Sequence, residues 1–265
     1  MKLGILGMGK MGEAVAQGLA KSSQAREFTI QGTTRSPESA KEATQHLKIK
    51  VHTDNKKTVS ESDVLLLCVK PHQAEKVLKA LKVRPNQLLI SVCAAITTQQ
   101  ISDWTGGKAS IIRAMPNTPC LIGEGMTVFC AGSNVTLKQI ASAEKIFATV
   151  GKTAVVEESL MDGVTGLSGC GPAYIYLVIE ALSEAGVKVG LPRETATLLA
   201  AQTLLGASRM VLETGAHPAA LKDEVTTPAG CTIDGLMALE EGKLRVTLIK
   251  AVLAATKRSK SLRGA

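Results

Sequence analysis

From Met1 to Glu157, short apolar runs alternate with amphipathic stretches. Lys2–Gly7, Phe28–Thr33, Val64–Val69, Leu88–Val92 and Ser110–Ala114 read as strands, and Gly12–Lys21, Ser36–Leu47 and Gln73–Leu81 between them read as helices. Strands that are apolar at consecutive positions are buried on both faces. Their alternation with helices means βαβ units around a parallel sheet, the mark of an α/β fold. Two shorter strands, near Met126–Cys130 and Thr153–Val156, flank a helix at Leu137–Thr149.

After Glu157 the strand pattern stops. Ala173–Ala185, Arg193–Glu213 and Lys243–Thr256 read as long helices rich in Ala and Leu. Gly171-Pro172 punctuates one start, Gly186 one end, Gly190-Leu191-Pro192 a connection and Thr214-Gly215 another end. The pattern divides the chain into an α/β domain over residues 1–157 and an all-helical domain over 158–265. The helices are apolar over wide arcs, which predicts burial on more than one side, as in an interlocked homodimer; a monomeric bundle packed on the sheet domain is the alternative.

Composition refines this picture. With one Trp, two Tyr and three Phe, the core is built from aliphatic residues and lacks base-stacking platforms. The net charge of +8 comes from scattered Lys and Arg and from the tail Lys257, Arg258, Lys260 and Arg263. No basic run is interleaved with aromatics, so no nucleic-acid partner is expected, and the field instead favours anionic small molecules. No apolar stretch reaches spanning length, so no membrane partner is expected either. Cys68, Cys93, Cys120, Cys130, Cys170 and Cys231 have no metal-like spacing and are expected as free thiols in a reducing, cytoplasmic setting; no metal site is expected from His46, His52, His72 and His217.

Gly7-Met8-Gly9-Lys10-Met11-Gly12 is a GxGxxG that follows a strand and opens a helix. Gly7 permits the tight turn, Gly9 lets backbone approach a pyrophosphate, and Gly12 lets helix pack on strand. The first domain is therefore a Rossmann-like dinucleotide-binding domain, with phosphates at the helix N-terminus. At the end of the second strand, Thr34-Arg35-Ser36 stands where an acidic residue would hold ribose hydroxyls. Hydroxyls and a guanidinium suit a phosphate monoester, which favours NADPH as cofactor, with NADH the weaker alternative.

Four further segments carry a family resemblance. They are Ser62 to Pro71 (SDVLLLCVKP), Met115-Pro116-Asn117-Thr118-Pro119, Ser168 to Tyr174 (SGCGPAY) and Leu221 to Leu236 (LKDEVTTPAGCTIDGL). Together with the glycine motif they resemble pyrroline-5-carboxylate reductase from Gly4 to about Ala251. The resemblance implies NAD(P)H-dependent reduction of L-1-pyrroline-5-carboxylate to L-proline by an oxidoreductase acting on a cyclic imine. It also implies a helical domain that builds a dimer, assembled further into a ring of dimers.

Carried onto this chain, the resemblance implies cofactor contacts at Leu6, Gly7, Met8, Gly9, Lys10, Met11, Gly12, Thr34, Arg35, Ser36, Asn55, Val69, Lys70, Pro71, Cys93, Ala94, Ala95 and Asn117. It implies substrate contacts at Glu158, Val225, Thr227, Gly230, Cys231 and Thr232, with Glu158 open between lining the site and a solvated turn. Thr226–Thr232 bears Gly and Pro and precedes the helical pattern Ile233–Glu240, which makes Thr232 the expected N-cap. Amides of Gly230, Cys231 and Thr232 there suit a substrate carboxylate, and the Thr232 hydroxyl suits the ring nitrogen, its expected catalytic role. Cys170 and Cys231 stand where the family has another small residue, and Glu224 where uncharged polar residues are common; Glu224 is expected to point outward or to bond the loop.

Two other functions fit the architecture. A short β-hydroxyacid dehydrogenase needs a catalytic Lys early in the helical domain, and Lys188 arrives only at the far end of the helix from Ala173. A non-catalytic NADPH-binding regulator has no need of an intact Thr227–Thr232 loop.

Overall fold

The computed structural model describes residues 1–85 and 87–262. In chain order its first part runs β1 (Lys2–Leu6), α1 (Lys10–Lys21), β2 (Thr29–Thr33), α2 (Pro37–Leu47), β3 (Lys50–His52), α3 (Asn55–Glu61), β4 (Val64–Leu67), α4 (Pro71–Lys79), β5 (Leu88–Ser91), α5 (Thr98–Trp104) and β6 (Ser110–Met115). Then come β7 (Gly125–Ala131), α6 (Leu137–Phe147), β8 (Gly151–Val155) and α7 (Met161–Val164). The helices α8 (Gly171–Lys188), α9 (Arg193–Thr214), α10 (Pro218–Glu224), α11 (Cys231–Glu241) and α12 (Leu244–Leu262) complete the chain. Two compact units form: Met1–Cys170 together with the segment from Ala254, and Gly171–Leu253.

In the first unit one eight-stranded sheet has the order β3-β2-β1-β4-β5-β6-β7-β8. β1 to β6 pair in parallel; β7 runs antiparallel to β6, and β8 parallel to β7. Alternate side chains of each central strand enter opposite cores. Val64 and Leu66 join Leu3, Ile5, Val15, Leu19 and Phe147 on one face, while Leu65 and Leu67 join Leu78, Ile101 and Val59 on the other. Helices cover both faces, so the expected doubly wound sheet is present. At β1 the order reverses toward β4, and that switch point opens a crevice beyond the carboxyl ends of both strands.

Three elements of this unit escape the hydrophobic pattern. β3 is three residues long with only Val51 buried, and α3 (NKKTVSE) buries only Thr58 and Val59. α5 is fixed by a capping box between Thr97 and Gln100 rather than by an apolar stripe. A π-helical turn at Thr165–Gly169 precedes α8.

In the second unit α8 and α9 pack side by side, with Ser183 Oγ and Thr197 Oγ1 2.7 Å apart. Gly186 lies near the end of α8, as expected, two residues before Lys188. A Cβ there would lie 2.7 Å from Cβ of Ala196, so the glycine admits α9 at close approach and the helix runs on to Lys188. α9 ends as expected at Gly215, in the left-handed conformation. α10 carries Pro218 at its first turn and was hidden by its brevity. Ile175, Tyr176, Leu177, Leu198, Leu199 and Leu205 of α8 and α9 are exposed on the single chain, apolar surface of the kind that oligomerisation covers. α12 continues past Thr256 to Leu262, so Lys257, Arg258 and Lys260 are helical and exposed; Arg263 lies outside the described residues. Among the described residues no helix is long and apolar enough to cross a membrane, and no group of His, Cys, Asp and Glu is arranged to hold a metal.

Candidate active site

The glycine turn is built from β1 outward. Leu6 is fully buried at the strand end, and Gly7 turns the chain at φ +96°, where an added Cβ would lie 3.1 Å from the Cys68 carbonyl group. The Gly7 and Met8 amides both donate to the Thr33 carbonyl, at 3.2 and 2.8 Å. Gly9 N-caps α1, and a Cβ there would meet nothing within 4 Å. The protein itself does not demand that glycine, but a ligand lying on the backbone does. At Gly12 a Cβ would sit 2.8 Å from the Gly7 carbonyl oxygen, so that glycine serves helix–strand contact.

Beyond the β1 and β4 ends lies a cavity of about 500 Å³. Of the expected cofactor residues it gathers Gly7, Met8, Gly9, Thr34, Arg35, Asn55, Val69 and Lys70. Arg35 is exposed and, among the described residues, in no ion pair. The wall also holds Thr33, which belongs to the hydroxyl-bearing run with Thr34, Arg35 and Ser36, and Ser39, Cys68, Gln73, Lys76 and Val77, which sequence reading missed. Gln73, Lys76 and Val77 lie on one face of α4, and the i, i+3, i+4 spacing was the available signal. Burial pushes the Cys68 thiol pKa far up, which leaves a neutral, unreactive wall.

The remaining expected contacts stand off this wall. Lys10 and Met11 open α1, and Pro71 opens α4. Ser36 N-caps α2, its hydroxyl accepting the Ser39 amide at 3.3 Å. Cys93, Ala94 and Ala95 follow β5; Cys93 is buried with its thiol 3.3 Å from the Val69 carbonyl oxygen and its pKa pushed up to about 11 by burial. Asn117 braces the loop after β6. Its Oδ1 accepts the Met126 amide at 2.8 Å, and its Nδ2 donates to the Ser168 carbonyl at 3.2 Å.

Glu158 is held by the protein. Its carboxylate accepts the Thr98 amide at 2.8 Å and the Thr98 hydroxyl at 2.6 Å, and lies 3.5 Å from the Arg113 guanidinium. Arg113 is the centre of a buried cluster. Its other terminal nitrogen is 4.0 Å from Asp162, which in turn accepts the Ser259 hydroxyl at 2.8 Å.

In the second unit the loop after α10 differs from expectation in one respect. The N-cap of α11 is Gly230, and Thr232 lies inside the first turn. Ala229 adopts a positive φ of +55° and the Gly230 amide donates to the Thr227 carbonyl at 3.0 Å, which starts the helix two residues early and uses the Gly230 donor. Cys231 and Thr232 keep first-turn amides that no helical carbonyl accepts. Val225 follows α10 and Thr227 follows two residues later, both exposed, and Glu224 ends α10 exposed, in line with an outward orientation.

Comparison with known proteins bears on this arrangement. Residues 158–262 match the family model for pyrroline-5-carboxylate reductase dimerisation, and residues 2–95 match that for NADP oxidoreductase, coenzyme F420-dependent. A pyrroline-5-carboxylate reductase of Arabidopsis thaliana is 43% identical over 98% of this chain and 95% of its own. This chain belongs to the pyrroline-5-carboxylate reductase family. The solved reductase of Coxiella burnetii superposes with a TM-score of 0.91 at 38% identity, covering 98% of this chain and 97% of that one. The Plasmodium falciparum pyrroline carboxylate reductase, solved with NADP bound, gives 0.86 at 34%, covering 99% and 98%. Reductase-family membership agrees with the main sequence reading and supports neither the hydroxyacid dehydrogenase nor the regulator.

Proposed function

We infer that this chain reduces L-1-pyrroline-5-carboxylate to L-proline with NADPH, the last step of proline biosynthesis, and accepts NADH less well. The cleft at the β1–β4 switch point carries the reading: it has an open glycine backbone at Gly9, and on its wall Arg35 is in no ion pair among the described residues. When bound, NADPH supplies the hydride to a substrate whose protonated imine is already an electrophile. The chain's own work is binding and orientation. The helix N-terminus at α1 holds the pyrophosphate, and Arg35 with Thr34 holds the 2′-phosphate.

The amides of Cys231 and Thr232, at the positive end of α11, bind the substrate carboxylate, with the Thr227 hydroxyl beside them. Val225 borders the substrate, and in the first unit Glu158 offers a carboxylate fixed by Thr98. The Thr232 hydroxyl makes no hydrogen bond among the described residues, which leaves it for the ring nitrogen as its charge changes. Residues 1–157 serve the cofactor, and residues 158–265 serve the substrate and a homodimer, arranged further as a ring of dimers. Six free cysteines agree with a cytoplasmic location. Assays of NADPH oxidation with L-1-pyrroline-5-carboxylate, against a series of β-hydroxyacids with NADP+, test the reading; turnover of only the hydroxyacids would overturn it.

A further inference from the structure

His52 ends β3 beside the cofactor cleft. Its ring Nδ1 accepts the Asp54 amide at 3.1 Å. That nitrogen therefore carries no proton, and the proton of the neutral imidazole is on Nε2. Nε2 lies 3.3 Å from Oγ1 of the fully buried Thr58, whose own hydroxyl donates to the Asp54 carbonyl at 3.3 Å. One ring thus closes the β3–α3 turn from both ends of Asp54, while the Asp54 carboxylate caps α3 through the Lys57 amide at 3.1 Å. The His52 carbonyl reaches the other way and accepts the Thr34 amide at 3.0 Å.

We propose that His52 is a positioning residue for the phosphate-bearing ribose end of the cleft. Its ring sets Asn55, the first residue of α3, and its carbonyl sets the Thr34–Arg35 turn, so that two separate loops face one cavity in fixed register. Both Asn55 and Arg35 stand on that cavity wall. The imidazole pKa is lowered, chiefly by burial and then by Lys50, with Lys57 adding and Asp54 and Glu61 opposing; this favours the neutral form the hydrogen bonds require. The proposal rests on the reading of the cleft as an NADPH site.

Calorimetric titration of the whole protein with adenosine 2′,5′-bisphosphate tests it without turnover. In His52→Asn the Oδ1 takes the place of Nδ1 and keeps an acceptor for the Asp54 amide; in His52→Gln the polar atom moves to the Nε2 position and that acceptor is lost. His52→Asn is expected to bind within about twofold of the parent, and His52→Gln to weaken Kd by about three- to tenfold, the loss of one neutral hydrogen bond. Equal affinities for the Asn and Gln variants overturn the proposal. Arg35→Ala and Asn55→Ala separate the two levels. If they weaken binding while His52→Gln does not, the positioning role fails alone; if neither weakens it, the cleft reading fails and takes the proposal with it.

Discussion

The Met8 amide donates to the Thr33 carbonyl at 2.8 Å, so the end of β2 clamps the glycine turn that follows β1. The Met8 side chain then lies over Gly32, where an added Cβ would come within 2.5 Å of its Sδ. Gly32→Ala should therefore cost about 1–3 kcal/mol through overpacking. In a Met8→Ala background the room is restored and the cost should shrink. A double-mutant cycle by urea denaturation measures the coupling, and strictly additive losses would show that the two residues do not share the space.

Arg35 stands on the cleft wall next to Thr34 and, among the described residues, in no ion pair; Lys70 and Lys76 are the other cations on that wall. Its loss removes a charge-assisted contact that only a 2′-phosphate makes. Arg35→Ala should weaken NADPH by about 1.5–3 kcal/mol and leave NADH nearly unchanged. Titration with both cofactors checks this, and equal losses would move the 2′-phosphate elsewhere.

Much of this was legible in the residues, for physical reasons that differ from element to element. Runs such as Val64–Leu67 are apolar at every position because both sheet faces are covered, and so they announce themselves. The Gly7-Met8-Gly9 turn is equally plain, since its conformation and its ligand both require glycine. β3 and α3 were not legible, because a three-residue edge strand and a seven-residue helix bury too little to impose a period. The Thr97–Gln100 capping box is the local signal that marks the start of α5. Thr232 fits the N-cap by preference, since Ser and Thr favour that place, whereas the Thr227–Gly230 turn sets the boundary two residues ahead of preference alone. The Arg113 cluster joins positions far apart in the chain, and no local pattern points to it.

Within that cluster Arg113 is 2% exposed and Asp162 1%. Removing Asp162 leaves the buried Arg113 with Glu158 as its remaining partner 3.5 Å away, a loss of up to about 3–5 kcal/mol, the figure for a fully broken buried pair. Asp162→Ala should fall in that range, and Ser259→Ala, which leaves the pair intact, should cost about 1–3 kcal/mol. Urea denaturation decides; an Asp162→Ala loss below that of Ser259→Ala would contradict the assignment.

Because Gly230 is the cap of α11, Thr232→Ala removes no cap, and stability should change by less than about 0.5 kcal/mol. If its hydroxyl meets the imine nitrogen as hydride arrives, kcat/KM should still fall roughly ten- to a hundredfold, with kcat reduced, and Thr232→Ser should restore most of it. A variant with normal kcat would hand the nitrogen contact to another group or to water.

Hydride transfer from NADPH to the imine carbon is the step on which the functional account stands. It is tested most directly by turnover with NADPH carrying deuterium at C4 in place of each hydrogen, followed by mass spectrometry of the product. Proline is predicted to carry one deuterium, at the carbon that belonged to the C=N bond, for each cofactor oxidised. Oxidation of the cofactor without labelled proline, or proline formed without label, would contradict the account.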